Sequence, residues 1–312
     1  MESSLRTKLS RRAEAIASAR FFFAERSIVE VDCLALSPKA SVDVNIDLFS
    51  TSSLIHGQRF LFSSPEFPMK RLLSEGSGEI FYLGHVWRHE EAGARHSPEF
   101  LLAEWYRIGI SFSEMMDETI EFAERFIGER QRRFVSYRDA FITHAKIDPF
   151  TSSLQQLQDA CTAFEGYPVK TSSRDDLLNL LLAIKVEPSF DPKAITVLYH
   201  YPASQAALAR QTTDNGQKVA ERFEIYCEGL ELANGYHELA DPHEQRARFS
   251  ADNAHRQAQG KEMYPIDDAF LSALERGLPD CCGVAVGFDR LLMIRESATS
   301  IADVMPIAWE IS

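Results

Sequence analysis

FEIYCEGLELANGYHE, residues 223–238, holds two strand signals in succession, at 221–227 and 230–239. Read as a strand pair, the stretch brings Glu224, Glu231 and Glu238 near one another. Negative charge concentrated in this way makes sense beside magnesium or a cationic substrate. Without either, the same residues form an acidic exposed edge.

Outward from this pair, helical periods appear at 242–259 and 266–276, and the chain ends on a strand at 283–287 running into a helix at 289–296. Upstream lies a strand at 194–201. Before it, residues 148–192 turn rich in Ser, Thr, Gln and Asp, with helices at 153–164 and 173–184 between prolines, and read as an insertion between two halves of one sheet. Nearer the start, residues 5–25 read as an amphipathic helix and 28–32 and 59–63 as strands. Ser63-Ser64-Pro65-Glu66 opens a helix with proline in its first turn. Residues 80–88 and 100–108 read as strands flanking a polar loop, and 113–133 as a helix. Strands clustered around loops predict an antiparallel sheet carrying a site on its face, flanked by helices, an α+β fold.

Composition narrows the class. The chain has 312 residues, 45% hydrophobic and 25% charged, ordinary for a globular protein that forms a core without staples. Its five cysteines include no CxxC pair, which predicts reduced thiols in a cytoplasmic setting. Adjacent Cys281 and Cys282 read as small core residues. No signal peptide or membrane span is apparent. The net charge of −13 argues against a protein that grips a long polyanion. The basic residues at 11–12, 130–133 and 246–248 read as solvated helix faces.

Two further groups point to ATP-dependent carboxylate activation, which needs positive groups, a divalent ion and a platform for adenine. Arg88-His89-Glu90 puts an arginine and a carboxylate two residues apart, on one face of a strand. Arg88 is suited to bridge a phosphate and a carboxylate, Glu90 to accept from the adenine amino group, Phe100 to stack on adenine, and His96 to reach the terminal phosphates. Singly, Phe100 reads as core and the Arg–Glu pair as a surface salt bridge. The third group is GVAVGFDR, residues 283–290, where small residues allow close approach to the backbone and Arg290 opens a helix facing a phosphate.

The order Arg-x-Glu, loop, Phe, acidic strand pair, Gly-rich strand ending in Asp-Arg resembles motifs 2 and 3 of the class II aminoacyl-tRNA synthetases. Ser64-Pro65-Glu66, Lys70-Arg71-Leu72, residues 95–100, Glu104-Trp105-Tyr106 and residues 234–239 resemble the lysyl-tRNA synthetase branch. Within it, residues 199–206, 230–239, 265–267 and 277–281 are similar to paralogues that acylate elongation factor P. The likeness runs through nearly the whole chain.

That resemblance implies a single catalytic domain without an anticodon-binding domain, cytoplasmic and homodimeric. It implies an ATP- and Mg2+-dependent ligase that takes (R)-β-lysine or lysine to an adenylate and transfers it to a lysine of elongation factor P. Arg88, His89, Glu90, His96, Ser97 and Phe100 would meet ATP, as would Glu231, Leu232, Gly287 and Arg290. Arg88 and Arg290 would be catalytic, and Glu224 and Glu231 would hold magnesium. Ser64, Pro65 and Glu66 would meet the amino group, while Glu104, Tyr106, Asn234, Tyr236 and Glu238 would form the side-chain pocket above Ala285. Glu66, Glu104 and Glu238 suit ammonium groups.

This chain departs from the pattern in places. Leu34 replaces the motif 1 proline, so the dimer geometry does not carry over, and His85, Trp87, His89 and Ser97 are substitutions on the ATP-facing strand and loop. Two rival expectations are an enzyme that charges tRNA and a non-catalytic paralogue. The absence of room for an anticodon-binding barrel weighs against the first, and the presence of Arg88, Glu90 and Arg290 against the second.

Overall fold

The computed structural model describes residues 5–89, 91–165, 171 and 173–311. In chain order it runs α1 (Leu5–Glu25), β1 (Val29–Glu30), β2 (Leu36–Ser37), β3 (Ser50–Ser53), β4 (Gly57–Leu61), α2 (Glu66–Ser74), β5 (Ile80–Trp87), β6 (Glu99–Ile108) and α3 (Phe112–Ile127). There follow β7 (Gln131–Ser136), α4 (Tyr137–Ala140), α5 (Leu154–Glu165), α6 (Arg174–Leu181), β8 (Ala194–Pro202), β9 (Gln211–Asp214), β10 (Gln217–Cys227) and β11 (Leu230–His237). The chain closes with α7 (Pro242–Ala258), α8 (Asp268–Gly277), β12 (Cys281–Gly287) and α9 (Phe288–Glu296). No described helix is long and apolar enough to cross a membrane.

Two compact units emerge, Met1–Gly128 with Glu238–Ser312, and Glu129–His237. In the first, β1 pairs parallel with β5, β5 antiparallel with β6, and β6 antiparallel with β12. One face of these strands is apolar and buries aromatic rings under helices. Phe23 of α1 stacks on Phe81 of β5 at 4.1 Å, and Phe122 of α3 meets Trp105 of β6 at 5.1 Å and Phe288 of α9 at 6.5 Å. Each such buried side chain contributes about 1.5–3 kcal/mol. On α2, Phe67 stacks on Phe270 of α8 at 4.3 Å. A small sheet joins β2, β4 and β3; β4 falls on the strand signal read at 59–63, while β2 and β3 went unread.

Arg12 was expected on a solvated face. It is 8% exposed instead, donating to Asp289 and to the Val304 carbonyl at 3.1 Å, and Asp289 Oδ2 accepts from the Leu101 N–H at 2.7 Å. Leu101 lies one residue past the point where β12 stops pairing with β6 at Gly287–Leu102. The carboxylate therefore satisfies a strand N–H beyond the end of that pairing.

The helix expected over 113–133 is shorter. A capping box between Ser111 and Glu114 starts α3, and Gly128, at φ +75°, stops it. Arg130 lies in the link after α3, and Arg132 and Arg133 stand in β7, so these arginines do not form a helix face.

The second unit orders its strands β11, β10, β8 and β7, with β9 on β10; β7 and β8 run parallel and the other pairs antiparallel. Its core joins Tyr137 and Phe141 to Leu157 of α5, Leu177 and Leu181 of α6, and Leu198 and Tyr201 of β8. The helices α5 and α6 thus fall inside the segment read as an insertion. β9 went unread in the sequence because all four of its residues, QTTD, are polar.

Candidate active site

In the first unit, register fixes which residues share a face. Tyr82 pairs with Glu104 and Glu104 with Ala285; in adjacent rows Ile80, Tyr106 and Gly283 align, as do Gly84, Leu102 and Gly287. Side chains of directly opposed residues point the same way. Glu104 is therefore flanked by Tyr82 and the methyl group of Ala285. Gly283 is a close-approach position: a Cβ there would lie 2.3 Å from the Tyr106 ring and 2.5 Å from Glu238 Oε1.

Glu104 is 2% exposed and held by hydroxyls: Ser64 donates at 2.6 Å and Tyr106 at 2.8 Å. Burial, with Glu66 nearby, pushes its carboxyl up to about 8. Pro65 caps α2 from just outside, rather than opening its first turn, and Glu66 follows as the first helical residue. One turn on, fully buried Lys70 lies 2.6 Å from Glu66 and 2.5 Å from Glu238. Burial would lower the Lys70 ammonium, but the two carboxylates outweigh it and hold the group charged well above its usual range. Burial also raises Glu238, against the opposing pull of Lys70. Ser64, Glu66, Glu104, Tyr106 and Glu238 are thus brought together as the sequence reading expected. Lys70 was missed, although Glu66 and Lys70 at i and i+4 carried the signal.

A second group in the same unit gathers Arg88, Phe100, His96 and Arg290. The Arg88 guanidinium lies 5.2 Å over the Phe100 ring. Arg290 Nη2 donates to His96 Nε2 at 2.7 Å and its Nε to the Arg95 carbonyl at 3.4 Å. Burial and the neighbouring arginine lower His96, so its ring stays neutral and accepts. Gly287 caps α9 and would place a Cβ 3.6 Å from the Arg290 side chain. The Ser97 hydroxyl is buried without a hydrogen-bond partner among the described residues. β5 ends at Trp87, so Arg88 follows the strand instead of standing on it as expected, with its N–H donating to the Pro98 carbonyl at 2.9 Å. His89 packs on Phe49 at 4.9 Å as a wall residue, and Glu90 lies outside the described residues.

The second unit holds Glu224, Glu231, Leu232, Asn234 and Tyr236. Opposite β10, β11 carries one extra residue, Leu232: Ile225 pairs with Ala233 but Tyr226 with Glu231. This bulge turns Glu231 onto the face of Glu224, Asn234 and Tyr236. Without it, strand alternation would send Glu231 to the other face. Glu224 accepts from Arg222 at 2.6 Å, from the Tyr201 hydroxyl at 2.6 Å and from Tyr226. Arg222 already neutralises Glu224, so a cation at the pair would draw mainly on the half-buried Glu231. Two carboxylates suffice for magnesium, which keeps waters and substrate phosphates as its other ligands.

Residues 1–308 match the family of tRNA synthetases class II (D, K and N), and the chain belongs to it. A protein named elongation factor P–(R)-beta-lysine ligase from Salmonella typhi is 41% identical over 304 residues, 95% of this chain and 93% of that one. The proteins of that name from Salmonella gallinarum and Salmonella dublin match at the same 41% over the same 304 residues, again 95% of this chain and 93% of theirs.

Proposed function

We propose that this chain is an ATP-dependent ligase that activates (R)-β-lysine, or lysine, and transfers it to the ε-amino group of one lysine on elongation factor P. The observation that carries this reading is the trio of buried Glu104, buried Glu238 and half-buried Glu66, with Ala285 paired to Glu104. Carboxylates removed from water need cations, and a diamino acid supplies them. The name of the similar Salmonella proteins supports the acceptor.

In the first step a carboxylate oxygen of the amino acid bonds to the α-phosphorus of ATP, and the bond to the departing pyrophosphate breaks. Arg88 orients the attacking carboxylate against the phosphate, and Arg290, steadied by His96, balances the charge that builds on the phosphoryl oxygens. Phe100 is the platform for adenine. Glu224 and Glu231 would hold magnesium, which when bound would supply further positive charge. In the second step the acceptor amine, having lost the proton it carries at neutral pH, attacks the acyl carbon, and AMP leaves.

Intact-mass analysis of elongation factor P after incubation with this protein, ATP and (R)-β-lysine tests the reading. A gain of one lysyl group on a single lysine is expected. An unmodified factor together with acylated tRNA would overturn it. The chain is further taken to act as a cytoplasmic homodimer, and sedimentation tests the dimer.

A further inference from the structure

Lys70 is the one cation among the described residues within ion-pair distance of the pocket carboxylates. Its side chain is 1% exposed, that of Glu238 also 1%, and that of Glu66 17%. Helical spacing on α2 brings Glu66 and Lys70 to one face, and Lys70 then reaches Glu238 from the far end of the chain. The third carboxylate, Glu104, is met by two hydroxyls rather than a cation. With all three ionised, three acids against one ammonium would leave the cluster two positive charges short, and until cations arrive burial keeps a proton on Glu104.

We propose that Lys70 is a specificity-determining residue, a resident ammonium that fills one of three cation places and leaves two for the substrate. This deepens the function proposed above and rests on it. A substrate with two ammonium groups closes the cluster. One with a single ammonium leaves a buried carboxylate unpaired, a far larger penalty than a misfitting methylene. Lys70 also spaces the acids. It occupies Glu66 Oε1 and Glu238 Oε2, so the opposite oxygens remain for the ligand, and Glu238 Oε1 is the one that lies against Gly283. The pocket therefore selects by charge count as well as by shape.

The test is pyrophosphate exchange with (R)-β-lysine by wild type, Lys70→Met and Lys70→Ala. Lys70→Met keeps much of the shape and removes the charge. It should raise the KM for (R)-β-lysine at least about tenfold and leave the KM for ATP within about twofold. Lys70→Ala should be impaired likewise and recover when ethylammonium, which fits the vacated place, is added; sodium at equal concentration should not restore it. An unchanged KM in Lys70→Met overturns the proposal. If Lys70→Met does not fold, Lys70→Ala decides: activity restored by ethylammonium supports it, and a protein inactive or unfolded even with the amine overturns it. Wild type that does not exchange with (R)-β-lysine overturns the function itself. Wild type that exchanges beside an equally competent Lys70→Met overturns only the role of Lys70.

Discussion

Arg12 and Asp289, 277 positions apart, form a buried ion pair directly beside Arg290. Asp289 is 1% exposed and its second oxygen takes the Leu101 N–H, so α1, β6 and α9 meet at one carboxylate. Removing one partner strands a buried charge, and Arg12→Met should cost about 3–5 kcal/mol of stability. Arg12→Met/Asp289→Asn should recover most of that loss. Urea unfolding measures both, and equal midpoints for wild type and Arg12→Met would show that the pair is not holding the three elements together.

Arg290→Ala should leave the fold intact, because the side chain is not buried in the core and reaches a loop carbonyl and a histidine ring. Its proposed partner is a phosphate, and losing such a contact should cost roughly 3 kcal/mol or more in activation. Thermal unfolding and pyrophosphate exchange on the same sample separate the two effects. Near-normal exchange would remove Arg290 from the site.

Gly283→Ala puts a methyl group into the Tyr106 ring and the Glu238 carboxylate. Both are fully buried and have little room to yield, so the pocket must open. The KM for lysine-like substrates should rise by about tenfold or more, as for a misfit worth 1–3 kcal/mol, with the KM for ATP little changed. If both constants stay where they are in the wild type, Tyr106 and Glu238 do not bound the substrate.

Glu104 makes the protein respond to pH. Burial lifts its carboxyl to about 8 from an ordinary 4.5, so the folded protein holds a proton that the unfolded chain has released. Its contribution to stability is therefore greatest below the lower value and is lost as pH rises through the upper one. A substrate ammonium favours the ionised form, so the KM for (R)-β-lysine should fall as pH approaches 8. Melting curves from about pH 5 to about pH 9, with Glu104→Gln as control, check this; the variant should have a shallower slope, the rest coming from Glu238.

Ala285 stands opposite Glu104 on the same face. In the proposed pocket its methyl group would exclude volume beside the substrate backbone and disfavour an amino group on the α-carbon over one on the β-carbon. Wild type should activate (R)-β-lysine better than L-lysine, and Ala285→Gly should narrow the gap, by about 1–3 kcal/mol at most. Adenylate formation with both substrates on both proteins measures it; equal preference in wild type would sink the β-lysine assignment.

The long periodic segments were legible. α1 falls on residues 5–25 as read, and the polar loop between β5 and β6 was expected where it lies. Motif residues were legible as a set because Ser64, Glu66, Glu104 and Glu238 come from separate elements whose order the resemblance supplied. What escaped was charge in unexpected places. Arg12 beside Arg11 looks like any solvated pair, because helical period alone does not say which arginine turns inward. Lys70 looks like a partner in a surface i, i+4 pair until Glu238 arrives from far along the chain. The bulge at Leu232 escaped too, since strict alternation puts Glu231 on the wrong face.

The first unit is assembled from two stretches with the whole of the second between them. On the ribosome, Lys70 and Glu104 emerge long before Glu238, and β6 waits with an open edge until β12 is made. Contacts so distant in sequence form late, and a waiting strand edge invites wrong partners. Elongation therefore sets the timetable of the pocket. Nascent chains cannot hold lysine, and chaperones that shield bare strands have their longest work over the span between residues 108 and 281.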